Sequence, residues 1–130
     1  MDVMGIGLFK LASRRLSYLA TRHQVIAENV SNANTPGFVA RDLKPFEAAL
    51  EEAEVRLART RPGHMSVASV DHGEFRLDSN PAVWEIVPSG NSVVLEQEML
   101  KGSETVASYS LVSNVYKSSH SMLKMAVSNQ

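Results

Sequence analysis

Residues 28–47 read ENVSNANTPGFVARDLKPFE, and the chemistry of this stretch decides where a long helix ends and where the chain goes next. Pro36 has no N–H and disfavours helical geometry at Thr35, so a helix arriving from the N-terminal side stops before it. Pro-Gly at positions 36 and 37 is the usual central pair of a type II turn, with Gly37 taking the positive φ. The asparagines at 29, 32 and 34 suit the end of that helix: their side chains hydrogen-bond orphaned carbonyls and amides, and Asn tolerates left-handed backbone better than most residues. Beyond the turn, Phe38 and Val39 resume apolar contact, while Arg41, Asp42 and Lys44 are expected to stay in water. Asn29, Asn32, Asn34, Thr35, Pro36, Gly37 and Phe38 therefore read as a rigid exit from a helix, aimed at a defined place.

Upstream, Phe9, Ala12, Leu16, Leu19, His23, Ile26 and Val30 step by threes and fours, the spacing of a narrow apolar seam on one helix face. Lys10, Arg14, Arg15, Ser17, Thr21 and Gln24 occupy the other side, and no Gly or Pro interrupts Leu8 to Asn32. A helix of about 25 residues, roughly 37 Å long, is expected. The C-terminal end repeats the pattern. Leu95, Met99, Gly102, Val106, Tyr109, Ser113, Tyr116, His120, Leu123 and Val127 keep the same spacing over about 33 residues, roughly 50 Å of helix. Glu96 and Glu98 fall in its first turn, where the helix dipole favours negative charge, and Ser89 to Ser92 supply a break and candidate caps. Both helices are too long and thin to bury their own seams, so the seams are expected to pair with each other or with those of other copies.

The middle has a different character. Asp42 to Arg59 starts with a Pro and then reads as a short charged helix with Phe46, Leu50 and Leu57 on one side. Thr60 to Pro88 holds Pro62, Gly63, Gly73, Pro81 and Pro88 among β-prone runs, MSVASV, EFRL and VWEIV, which predict loop with one or two short strands or a hairpin. Three parts follow: residues 1–40 with the first helix and its exit turn, 41–91 as the middle, and 92–130 with the second helix. Phe75 and Trp84, the large apolar groups of the middle, anchor it either on the chain's own helices or on a neighbouring subunit. Gly102 in a helix interior, about 1 kcal/mol less favourable than Ala, points to close packing there.

Composition excludes more than it selects. The chain has 130 residues, 44% hydrophobic and 21% charged, with net charge -1 and a pI near 6.4. That balance lacks the clustered, uncancelled Lys and Arg needed for phosphate contacts. Cysteine is absent, which removes disulfides, thiolate metal sites and cysteine nucleophiles together. The start, MDVMGIGLF, carries Asp2 where a secretory signal has positive charge and lacks a small-residue cleavage site. His23, His64, His72 and His120 are scattered without metal-ligand spacing, and no serine sits in a GxSxG elbow that would go with the Asp71-His72 pair. No cofactor, metal or catalytic site is expected.

These motifs also carry a resemblance. A first helix ending in ENVSNANTPGFVARD and a last helix introduced by SGNSVVLEQEM are similar to the flagellar rod, hook and hook-associated axial proteins, whose signature turn matches ANTPGF here. Within that family the short length, residues 8–38, RDLKPFEAAL at 41–50 and TRPGHM at 60–65 resemble the members of the proximal rod. The resemblance implies a mainly α fold, with terminal helices paired as a coiled coil around a short-helix and irregular middle. It implies a structural subunit that stacks into a hollow helical rod, transmits torque and encloses the export channel. It further implies export without a cleaved signal to the periplasmic basal body. The partners it implies are other copies, neighbouring rod proteins such as FlgC, the adaptor FliE, and the membrane ring and export gate. Val94 stands where similar sequences commonly place a capping Asp or Asn, so either Asn91 or Ser92 caps one turn earlier or the second helix starts less sharply. The rival reading is a soluble helical adaptor or export chaperone that never polymerises.

Overall fold

The computed structural model describes residues 3–54, 71–72, 75–78 and 81–128. Three helices and a minimal hairpin follow one another: α1 Val3–Ser31, α2 Phe46–Glu54, β1 Asp71–His72, β2 Phe75–Arg76 and α3 Leu95–Ser128. The two long helices match the expected spans closely, because unbroken 3.5-residue periodicity over seven or more turns outweighs any local preference. They lie antiparallel against each other: the ring of Phe9 meets Tyr116 edge-on at 5.1 Å, and Ile26 lies opposite Gly102, where a Cβ would sit 4.0 Å from the Ile26 Cγ2.

Among the described residues the regular structure of the middle segment is α2, β1 and β2. α2 begins at Phe46, directly after Pro45, while residues 42–44 run extended and pair with residues 76–78. Leu43 bridges Leu77, the Lys44 N–H donates to the Arg76 carbonyl at 3.0 Å, and the Asp78 N–H donates to the Asp42 carbonyl at 2.8 Å. The expected hairpin is present as the antiparallel pair of β1 and β2, with His72 opposite Phe75. VWEIV forms no strand; the Trp84 N–H donates to the Gln97 side chain instead of to a ladder. Leu57, MSVASV and TRPGHM lie outside the described residues.

The main apolar core lies between α1 and this middle segment. Tyr18, Leu19, Val25, Leu43, Phe46 and Phe75 form it, with Ala49, Leu50, Leu77 and Val112 packed around them. Tyr18 is central: Phe46 and Phe75 pack on its ring at 5.4 and 5.3 Å, and its hydroxyl donates to the Lys44 carbonyl at 2.9 Å. The Arg15 guanidinium covers the outer side, 4.7 Å from the Phe46 ring, a cation–π contact. Burial raises the Tyr18 phenol above its ordinary pKa, with Arg22 and Arg15 pulling the other way.

Within the chain the two expected seams are covered only in part. On α1, Leu19 and Ile26 are buried and Phe9 and Leu16 half-buried, but Val30 is exposed, and Tyr18 and Val25 join the interior. The buried stripe combines the frame 19, 26 with a second one at 18, 22, 25, 29, since α1 serves the middle segment as well as α3. On α3 the expected seam of Leu95, Met99, Val106, Tyr109, Tyr116, Leu123 and Val127 is exposed within the chain. The buried positions are Gln97, Glu98 and Thr105, with Lys101, Gly102, Ser108 and Val112 partly covered. α3 thus meets α1 through Glu98, Gly102 and Tyr116, while most of its bulky apolar residues stay exposed within the chain.

Leu19 is 2% exposed, so Leu19→Ala is expected to lower unfolding free energy by about 3 kcal/mol, cavity included. Gly102→Ala places its methyl in ordinary contact with Ile26 and is expected to add up to about 1 kcal/mol. Urea titrations followed by circular dichroism measure both.

Candidate functional site

The helix exit is built as the turn chemistry requires. The Phe38 N–H donates to the Thr35 carbonyl at 3.2 Å across Pro36 and Gly37, and Gly37 has φ +72°; this is a type II turn. At the end of α1, the Asn32 side chain donates to the Glu28 carbonyl at 2.8 Å and its own carbonyl accepts the Thr35 N–H, satisfying the orphaned groups expected there. Asn34 is exposed, while Phe38 is half-buried.

A second turn backs onto the first. Pro88 and Ser89 lead to Gly90 at φ +81°; the Gly90 N–H donates to the Val87 carbonyl and the Val87 N–H to the Asn91 carbonyl. This is a type I turn closed by a left-handed residue. The two turns touch: Ser89 accepts the Gly37 N–H at 3.0 Å, and a Cβ on Gly90 would lie 3.5 Å from the Gly37 Cα. Both glycines are therefore held by backbone conformation, since each sits at positive φ.

Asn91 and Ser92, candidate caps from their sequence position, stitch these pieces together. The Asn91 amide donates to the carbonyls of Asn32 at 2.9 Å and Thr35 at 2.7 Å, while its oxygen accepts the Val93 N–H at 2.7 Å. Every hydrogen of that buried NH2 is used. Ser92 accepts the Ala40 N–H on its hydroxyl and donates its own N–H to the Phe38 carbonyl. Neither caps α3, whose first intrahelical acceptor is the Val94 carbonyl, bonded by the Glu98 N–H at 3.0 Å; Val94 offers no side-chain oxygen, so α3 starts without a side-chain cap.

Beneath the turns lies a chain of buried polar groups. Asn29, wholly buried, does not cap its own helix. Its amide donates to the Arg41 carbonyl at 2.6 Å and to a Glu98 carboxylate oxygen at 2.9 Å, and its oxygen accepts the Arg41 N–H at 2.9 Å. Glu98, 1% exposed, also accepts from the Lys101 ammonium at 3.1 Å. Lys101 lies 3.5 Å from Asp42, and Asp42 receives both a 3.0 Å and a 3.1 Å bond from the Arg22 guanidinium. Asp42 was expected in water; it is buried because Arg22, Lys101 and the Leu43 N–H at 2.8 Å supply the donors its carboxylate loses with hydration. Burial alone would raise its pKa, but the Arg22 bonds and charge, the Leu43 amide and Lys101 together hold it below the usual carboxylate value. The bond to Asp42 in turn raises Arg22.

The remaining expected residues divide. Phe75, a possible subunit contact by sequence, is 3% exposed against Tyr18 and has no surface to offer a neighbour. Trp84 is 62% exposed, its backbone held by Gln97, whose amide also donates to the Ala82 carbonyl at 2.6 Å. Gln97, Glu98, Lys101 and Arg22 escaped the sequence reading because they are polar residues one step off the apolar frame. The available signal was the second stepping series at 18, 22, 25 and 29. Among the described residues no three potential metal ligands converge; His23 and His120 are exposed, and His64 lies outside the described residues.

Comparison with known proteins bears on this junction directly. The model of the family described as flagella basal body rod protein matches residues 9–38, from the first seam residue of α1 to the end of the exit turn. A flagellar basal body rod protein FlgB from Agrobacterium fabrum is 41% identical over 126 residues, covering 94% of this chain and 93% of the relative. The chain belongs to the flagellar basal body rod protein FlgB family. Its FlgB relative in Aeromonas hydrophila is 35% identical over 69% of each chain, and that of Salmonella typhimurium 30% identical over 74% of this chain and 75% of its own length. As in that family, this chain is a structural subunit of the flagellar rod, assembling with other basal body components in the organelle of motility. No helix among the described residues is long and apolar enough to cross a membrane.

Asp42→Ala is expected to cost about 3 kcal/mol, because it leaves Arg22 and Lys101 buried without their shared partner. The folded pKa of Asp42 lies below its unfolded value of about 3.9, so its contribution is complete above that pH and vanishes as pH falls through the lower folded value. Wild-type chain should therefore lose stability below about pH 4 more steeply than Asp42→Asn, as urea midpoints measured across that range would show.

Proposed function

We propose that the subunit occupies the proximal rod, where stacked copies surround the export channel and carry torque outward. The observation that carries this reading is the exposed apolar surface of α3: Met99, Val106, Leu123 and Val127 are exposed in the single chain, and an apolar surface spread along a helix of about 50 Å suits burial by neighbouring subunits. Heterologous contacts of that kind generate open helical assemblies. The role is mechanical, without catalysis. Residues 1–40 and 92–130 serve as the inner stacked helices and 41–91 as the outer segment. Neighbouring rod proteins such as FlgC, the adaptor FliE, and the membrane ring with its export gate are the partners this position brings. Delivery is to the periplasm through the flagellar export apparatus, with the N-terminus uncleaved.

The junction has a defined part in this. A rod transmits torque only if each subunit's outer segment is held rigidly to its inner helices, and the two turns with Asn29, Asn32, Asn91 and Ser92 make that attachment. The exit motif of Asn29, Asn32, Asn34, Thr35, Pro36, Gly37 and Phe38 is proposed to act there as a fixed bracket.

Mass spectrometry of purified hook-basal bodies should find the chain at a few copies per particle with its N-terminal peptide unprocessed; recovery only in the soluble fraction, beside export substrates, would instead identify an adaptor. Pro36→Ala combined with Gly37→Val is expected to reduce swimming strongly, since Gly37 needs φ +72° and a β-branched residue is strained there. Full motility of that variant in soft agar would remove the bracket role.

A further inference from the structure

The end of the helix pair away from the junction is basic. α1 has no Asp or Glu from Val3 to Ala27, and α3 has none after Glu104. Of the cations in those spans, Arg22 bonds Asp42, while Arg14 and Arg15 lie against α2, which carries Glu47 and Glu51. Lys10, Lys117 and Lys124 are exposed and meet no carboxylate among the described residues. They share one end of the molecule, because the Phe9 ring meets Tyr116 there. Against these three lysines the sequence adds a single acidic residue before α1, Asp2, which lies outside the described residues.

The same end is apolar. α3 continues beyond Tyr116 to Ser128, about 18 Å, whereas α1 extends from Phe9 back to Val3, about 9 Å, so the last turns of α3 project past the described part of α1. Met122, Leu123, Met125 and Val127 are all exposed on that projection, Val127 by 75%. They do not form one stripe. Met122 shares a side of the helix with Leu111, Leu123 and Val127 share another about 120° round, and Lys117 and Lys124 share a third. A partner helix covers one stripe, and a second copy alongside in the same sense sets these lysines against its own. A lipid surface meets every side of a projecting tip at once, taking apolar side chains into the headgroup and acyl boundary while the lysine ammonium groups stay among the phosphates. No helix among the described residues is long and apolar enough to span a bilayer, so the contact is interfacial.

Resting on the reading that the subunit is delivered to the periplasm beside the membrane, we propose that the tip of α3 seats on an anionic lipid surface. Met122, Leu123 and Val127 enter the headgroup region, and Lys10, Lys117 and Lys124 lie against lipid phosphates. A single copy is thereby held at the membrane before neighbouring subunits cover α3.

Sedimentation of the full-length chain with vesicles tests this. Vesicles of equal parts phosphatidylglycerol and phosphatidylcholine should bind it about 100-fold more tightly than phosphatidylcholine alone, as three lysines at about 1 kcal/mol each provide. Lys117→Gln with Lys124→Gln should weaken that binding about 30-fold, and Lys117→Arg with Lys124→Arg should keep it. Met122→Ser with Val127→Ser, both at exposed positions, should leave the circular dichroism unchanged and weaken binding about tenfold. Arg41→Gln, at the junction end, should bind as wild type does. Equal affinity for the two vesicle types, no binding, or an Arg41→Gln loss as large as that of the lysine pair overturns the lipid seating. Soluble polyglutamate bound as tightly as the mixed vesicles also overturns it, in favour of an acidic protein surface. Chain present in hook-basal bodies but indifferent to vesicles overturns the lipid seating alone; vesicle binding by a chain absent from those particles overturns the rod reading alone.

Discussion

One buried carboxamide organises this molecule. Asn29 lies in the last turns of α1, yet all its hydrogen-bonding capacity goes outside α1, to both backbone groups of Arg41 and to Glu98 of α3. A buried amide with unmet partners is costly, so the position of Asn29 constrains three segments at once. The exit segment must return past α1 so that Arg41 is in reach, and α3 must begin where Glu98 meets the same group. Glu98, Lys101, Asp42 and Arg22 then continue the chain of paired charges, each supplying what its neighbour lost on leaving water.

This arrangement explains why the interior of the helix pair is polar at the junction. Directional bonds fix angle and register in a way that apolar contact does not, and a rod subunit needs a defined angle between its helices and its outer segment. The adjoining turns add to this: Gly37 and Gly90, both at positive φ, pack backbone to backbone, and Asn91 ties the end of α1 to the start of α3. The apolar contribution comes from a different place, the Tyr18, Phe46 and Phe75 cluster that clamps the middle segment onto α1. With the polar groups satisfied inside the chain, the large side chains of α3 remain available for neighbours.

Much of the architecture was legible in advance. Periodicity gave both long helices to within a few residues, and Pro36-Gly37 gave the turn, because these features depend on chain-local sterics. The start of the short helix after Pro45 was legible for the same reason, whereas nothing local revealed that residues 42–44 pair with 76–78. What covers the α3 seam was open for a similar reason. An apolar stripe says that a surface will be buried, but not by what, and here Glu98 found its partner in Asn29 of α1 while Thr105 bonds the Lys101 carbonyl within α3.

By itself, then, the sequence determined the elements, the turn and the family, all of which rest on backbone geometry and motif order over short stretches. Tertiary structure alone decided which face of each helix turns inward, that Asp42 is buried and Phe75 enclosed, and that Asn91 and Ser92 serve as stitches, not caps. These depend on pairing free energies between residues as far apart as Asn29 and Glu98. A polar group's burial is settled by whether distant partners converge on it, and such convergence exists only once the chain has folded.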